Sequence, residues 1–319
     1  MSNRDLECEL STSADCPVQD GVRQIQRISP RAAIIGGGIP VNRLLPGPQR
    51  QLIGAWCFLD HAGPAELPEG QGLNVGPHPH IGLQTFTWMI EGEGLHRDSL
   101  GNEQVIRPGQ VNLMTAGRGI VHTEESPDGE RHIHAAQLWI ALPEADKDCP
   151  PAFDHYPDLP QWQNQGVQYT LLAGSFAGQR APSRIYSPLV GVDLTWLTNS
   201  NQQLGLQLEF EYGVLVLEGN VEVNGEQFAA NELAYLGRGL SSLSLQASAG
   251  TRVLLLGGEP YHQQIHLWWN FVAHSRDEIA VALDDWNRHN LERFPRVPGY
   301  AGERLTAPPL PWLTGAVSG

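Results

Sequence analysis

Two short stretches, Pro77-His78-Pro79-His80 and His122-Thr123-Glu124, each place two potential metal ligands at positions i and i+2. On a β-strand, side chains two apart point to the same face. Two strands that aim such pairs at one point bring together three imidazoles and one carboxylate. That donor set suits a divalent transition metal such as iron(II), with coordination positions left for a substrate or dioxygen. Manganese, nickel, copper and zinc suit the same donors, so the expectation is one divalent transition metal per chain, its identity left open by the donors. His132 and His134 form a competing pair; behind the short charged segment 128–131, they are expected at the surface or behind the ligands. His96, in LHRDSLGN, is expected on a solvated hairpin.

Strands must position these residues, and the surrounding sequence reads as strands. Short apolar runs at 85–90, 111–114, 137–142, 214–217 and 253–256 alternate with Gly- and Pro-rich turns. That pattern predicts an all-β barrel or sandwich. Asn224-Gly225, between Val221–Val223 and Gln227-Phe228, predicts a hairpin. If His78 and His80 face the interior and the strand continues without a bulge, Phe86, Trp88 and Ile90 face inward too, with Thr85 and Thr87 on the other face. Phe86 and Trp88 are then placed to fill the barrel or to stack on an aromatic ligand, and filling is the expectation. One helix is predicted after Ser275, an N-cap with Glu278 three residues on, and Ile279, Leu283 and Trp286 share its apolar face. The last 25 or so residues, rich in Pro and Gly, read as an extended tail on the body.

The chain also repeats itself. IEGEGLHRDSLGNEQ…MTAGRG is answered by LEGNVEVNGEQ…AYLGRG: Glu91-Gly92 corresponds to Glu218-Gly219, Glu103-Gln104 to Glu226-Gln227, and Gly117-Arg118-Gly119 to Gly237-Arg238-Gly239. Three matches in the same order indicate a duplicated β-domain. In the second copy, His78 and His80 map to Gly205 and Gln207, and His122 and Glu124 to Ser242 and Ser244. None of these is a good transition-metal ligand, so the metal is expected in the first copy only. The expected division is a mobile segment 1–20, a metal-binding barrel 21–150, a metal-free barrel 165–274, and a helix and tail 275–319.

The 319 residues carry 35 acidic and 20 basic side chains, a formal charge of −15. No cluster of Lys and Arg is present to contact phosphates, which argues against nucleic acid and anionic membranes as partners. Four Cys without a CxxC pair are no disulfide framework. The N-terminus lacks the apolar core of a signal peptide, and no apolar run is long enough to span a membrane. The expectation is a soluble cytoplasmic protein.

The segment PHPHIGLQTFTWMIEGEGLHRDSLGNEQVIRPGQVNLMTAGRGIVHTE resembles the signature of pirins, a branch of the cupin superfamily. FLDHA at 58–62, QLWIAL at 137–142 and WWNFVAHS at 268–275 also resemble that family, and the similarity covers roughly residues 25–275. The resemblance implies two cupin barrels, of the jelly-roll or double-stranded β-helix type, face to face. It also implies an N-terminal metal site, commonly iron, whose ligands match His78, His80, His122 and Glu124. Two departures stand out: Gln84 where many pirins carry an acidic residue that is not a ligand, and Ile81 where Arg is frequent, a change expected to alter the mouth of the cavity. Several pirins show quercetin 2,3-dioxygenase activity. The resemblance therefore implies a flavonol and dioxygen as substrates, with Glu124 as general base taking the flavonol 3-hydroxyl proton. Other pirins act as metal- or redox-dependent regulators through protein partners, and a cupin with a small, unrelated substrate is a third reading.

Overall fold

A computed structural model of the chain describes residues 9–10, 15–20 and 22–314. Of the predicted mobile segment 1–20, residues 1–8 and 11–14 lie outside the described residues. Glu9–Leu10 pairs with Ile265–Trp268, and Cys16 is buried.

The two copies are built alike. In the first, a four-stranded sheet runs in the order Glu103–Ile106, Gly94–Asp98, Ile120–Glu125, Asn74–His80. Its counterpart runs Glu226–Ala229, Asn220–Val223, Ser242–Ala247, Ser200–Gly205. Each packs against a seven-stranded antiparallel sheet, which closes a cupin barrel. The hairpin predicted at Asn224-Gly225 joins Asn220–Val223 to Glu226–Ala229, with both turn residues at positive φ. The register of the repeat also holds. His78 is the cross-strand partner of His122, and Gly205 that of Ser242. The first strand after residue 23, Gln26–Ile28, joins the second barrel's sheet by pairing with Leu233–Arg238.

The large sheets face one another across a continuous apolar core that mixes Trp56, Phe86 and Leu138 with Leu215, Leu254 and Leu256. Two indoles cross this junction with hydrogen bonds. Trp88 Nε1 donates to Asp193 Oδ2 at 2.9 Å, and Trp56 Nε1 to Gly257 O at 3.3 Å. Trp88 therefore faces the second barrel, as does Phe86, which meets Trp56 edge-on. The expectation that Phe86, Trp88 and Ile90 share the face of His78 and His80 is thus corrected: Thr87 and Met89 line the first barrel's chamber instead. The cause is Gly82, at φ +67°, where the chain bends between Asn74–His80 in one sheet and Leu83–Glu91 in the other. The bend breaks the period-2 count.

The helix is Arg276–Asn287, with Ser275 as N-cap accepting from the backbone N–H of Glu278 and with Ile279, Leu283 and Trp286 buried. Its apolar face packs on Trp268, Trp269 and Phe271, and the tail adds Phe294, Val297 and Leu310. Ile81 lies in this same cluster and does not line the chamber that holds His96 and Glu124. The tail reaches back to the first barrel, where Leu305 N donates to Pro77 O at 2.9 Å. No helix among the described residues is long and apolar enough to cross a membrane.

Candidate metal centre

His78 and His80 alternate with two prolines along Asn74–His80, and His122 projects from the antiparallel partner Ile120–Glu125. All three imidazoles are buried, and their ligand nitrogens lie within 4.8 Å of one another. His80 Nε2 and His122 Nε2 are 3.1 Å apart. Backbone carbonyls set two of the tautomers. Gly76 O accepts from His78 Nδ1 at 2.8 Å, and Asn270 O accepts from His80 Nδ1 at 2.9 Å. A carbonyl can only accept, so each proton is on Nδ1 and each Nε2 presents a bare lone pair. His78 Nε2 is buried with no hydrogen-bond partner. Burial pushes the His78 imidazole down to about 3. His80 and His122 are also held well below the ordinary range, by burial first and then by the neighbouring imidazoles. Three neutral imidazoles with lone pairs directed together are the donor arrangement a divalent cation requires, and the residues present fit one.

The Asn270 carbonyl comes from a distant part of the sequence. Ile265–Trp268 and Phe271–Ala273 form a tight hairpin, with Trp269 at φ +53° in the turn, and Ile81 bridges to Phe271. This hairpin leads directly into the C-terminal helix, so the element after the second barrel orients a ligand of the first.

Glu124 lies outside the 4.8 Å group of the three imidazoles but near enough to His78 for the two to interact electrostatically. The pairing shifts between His122, opposite His78, and Glu124, opposite Val75, because Asn74–His80 carries one extra residue there. Glu124 is half-buried, lies outside the mutual group of ligand atoms, and lines the chamber beside His96, Thr87, Asn112 and Gln137. Burial pushes its carboxyl up, but neighbouring positive charge outweighs it and holds the carboxyl below its usual range. It is therefore ionised at neutral pH. Gln84 faces away, donating from Nε2 to Thr115 Oγ1 and Arg184 O.

Two other histidines depart from expectation. His96 is buried, not solvated: it stacks on Phe153 with ring centroids 4.3 Å apart, and its Nδ1 lies 3.4 Å from His122 Nδ1. Asp98, fully buried, accepts from His96 Nε2 and from the backbone N–H groups of Leu100 and Asn102, which seals the turn inward. His132 is exposed beside Glu130, as expected. His134 is neither at the surface nor behind the ligands: it keeps the parity of Ala136 and Leu138, which face the second barrel, while Ile133, Ala135 and Gln137 line the first barrel's chamber. It is fully buried where the barrels meet, with Nε2 3.0 Å from His61 Nε2, while His61 Nδ1 bonds Asn231 Oδ1 at 2.6 Å.

Comparison with known proteins gives this architecture a family. Residues 38–140 match the pirin domain and residues 191–292 the pirin C-terminal cupin domain. The chain belongs to the pirin family. The three histidines all fall in the pirin domain, and the Gly205–Ser242 pair falls in the C-terminal one. The chain is 63% identical to a Pseudomonas aeruginosa protein named "Putative quercetin 2,3-dioxygenase PA1205", across 99% of this chain and 100% of that one. It is 37% identical to a pirin-like protein of Caulobacter vibrioides, over 80% of this chain and 91% of that one. A crystal structure of quercetin 2,3-dioxygenase from Acinetobacter baumannii superposes with a TM-score of 0.88 at 51% identity, covering 90% of this pirin and 95% of that chain.

Proposed function

We propose that this pirin is a metal-dependent dioxygenase of the quercetin 2,3-dioxygenase type, with iron(II) held by His78, His80, His122 and Glu124. The observation that carries the reading is the convergence of three neutral, buried imidazoles, one with an unpartnered Nε2, beside a chamber with an ionised carboxylate. The names of the similar proteins add the substrate class. A bound metal ion supplies Lewis acidity and a template for dioxygen and substrate. The protein's own groups do the rest. Glu124, a carboxylate that lines the chamber and is held below its usual range, takes the proton of the flavonol 3-hydroxyl. The chamber measures only about 50 Å³ as it stands and has to widen to admit a flavonol; Met89, Leu95, Ile106, Ile133 and Ala135 would then form its apolar wall, and Asn112 and Gln137 its polar anchors. The balanced outcome is incorporation of one dioxygen with ring opening and release of one carbon monoxide. Phe86 and Trp88 take no part, since they face the other barrel.

The test is an aerobic assay of the iron(II)-loaded protein with quercetin. Loss of the flavonol absorbance with release of carbon monoxide, both abolished by His78→Ala, is the expected result. Full metal occupancy without turnover overturns it and favours a regulator acting through protein partners.

A further inference from the structure

The strand Gly94–Asp98 lies against the ligand strand Ile120–Glu125, with Asp98 opposite His122 and His96 opposite Glu124. Along this edge three side chains form a line. Asp98 Oδ2 is 3.1 Å from His96 Nε2, and His96 Nδ1 is 3.4 Å from His122 Nδ1. The far nitrogen of His122 faces His80. We propose that Asp98 and His96 form a relay that dictates which nitrogen of His122 carries its proton, and so commits His122 to bind metal through Nε2. His96 and Asp98 are positioning residues. The proposal rests on the metal-centre part of the reading above, not on the flavonol chemistry.

Each step of the relay has one consistent direction. Asp98 is an acceptor toward its turn, taking N–H groups from Leu100 and Asn102 and the Asn102 carboxamide. A carboxylate so engaged accepts from His96, which places the His96 proton on Nε2 and leaves its Nδ1 bare. A bare Nδ1 can only accept, so His122 must present Nδ1–H to it, and His122 Nε2 is then bare. The stack of His96 on Phe153 holds the ring in the plane that makes both contacts. The relay opposes a specific competitor. With its proton on Nε2, His122 would donate to the bare His80 Nε2 only 3.1 Å away, a self-closed centre with two ligands masked. His78 and His80 take their tautomers from backbone carbonyls; His122 has a side-chain relay instead. Outer partners of this kind typically change metal affinity 10–100-fold when removed.

The test uses the full-length chain with Zn(II) as a diamagnetic probe, two variants, and two readouts. Two-bond 15N–1H correlation on the metal-free protein reads the tautomers directly. The expected wild-type result is His122 with Nδ1–H and bare Nε2. In Asp98→Asn the carboxamide can donate to His96 Nε2, which moves the His96 proton to Nδ1 and drives that of His122 to Nε2. His96→Phe keeps the stack on Phe153 but removes the acceptor. Both variants are expected to bind Zn(II) about 10–100-fold more weakly by chelator competition, measured at a temperature where circular dichroism shows each still folded, since a partner of the buried Asp98 carboxylate is lost or altered in both. His122 that keeps Nδ1–H in both variants, with unchanged Zn(II) affinity, overturns the relay. A wild-type chain that binds no Zn(II) overturns the metal-centre reading instead, and the tautomer spectrum still decides the relay.

Discussion

At the residue scale, each imidazole of the centre is deeply buried and locked from behind, so removing one breaks a set that cannot rearrange. His80→Ala deletes a ligand and leaves Asn270 O without its donor. Metal content by elemental analysis should fall from about one per chain to near zero while the far-ultraviolet dichroism stays β-type; retained stoichiometric metal would argue for ligands elsewhere. Glu124→Gln removes the base and keeps the volume. It should slow quercetin turnover by roughly 10²–10⁴-fold, the usual contribution of a general base, with a smaller change in metal content. Equal turnover would remove Glu124 from the chemistry. The ligand pairs were legible in the sequence because HxH and HxE on strands obey a period of two. His96 was not. LHRDSLGN has the composition of a solvent-facing turn, and only the structure shows that Asp98 folds the turn's own N–H groups inward and pulls His96 with it.

At the element scale, the bend at Gly82 separates the ligand strand from the strand that faces the second barrel. A Cβ there would lie 2.0 Å from Val272 O, in a backbone region that disfavours side chains. Gly82→Ala should cost roughly 1–3 kcal/mol or more. It should also weaken metal binding, because Val272 belongs to the hairpin whose turn supplies Asn270 O. An unchanged melting temperature would show that the contact yields easily. Ser275→Ala should cost about 1 kcal/mol through loss of the cap, measured by urea denaturation. The start and buried face of the helix could be read from the sequence because capping and a 3.6-residue apolar period are local signals. The inward direction of Phe86 and Trp88 could not, because it depends on whether the chain bends between two sheets. Gly82 alone, among many glycines, does not announce that.

At the scale of the whole molecule, the barrels share one core and bury polar groups where they meet. His134 is the clearest, its imidazole pushed down to about 3 by burial first and then by His61 and Arg252. In the unfolded chain it titrates near its ordinary value of about 6.5. Between those values the unfolded state binds a proton that the folded state refuses. His134 therefore leaves stability unaffected above about pH 6.5 and lowers it progressively as pH falls toward 3, by up to about 1.4 kcal/mol per unit. His134→Gln should reduce the proton uptake on unfolding near pH 5 by up to one, measured from the pH dependence of urea midpoints. An identical slope would mean that the site opens to water. The duplication itself was legible, down to the pairing of Gly205 with Ser242 in place of His78 with His122. The junction was not: His61 and His134 carry no spacing signal, and their meeting with Asn231 depends on how two sheets stack.

The carbonyl of Asn270 that holds His80 lies 190 residues downstream of it. During synthesis the first barrel leaves the ribosome long before that carbonyl exists, and until then His80 has nothing to fix its proton. The nascent N-terminal half would meet metal ions with its ligands incompletely aimed. Tight loading is thus deferred until the last strands and the helix have docked, and a chain truncated before Trp268 would remain a poor metal binder even with every ligand present. Metal occupancy would then distinguish finished molecules from interrupted ones.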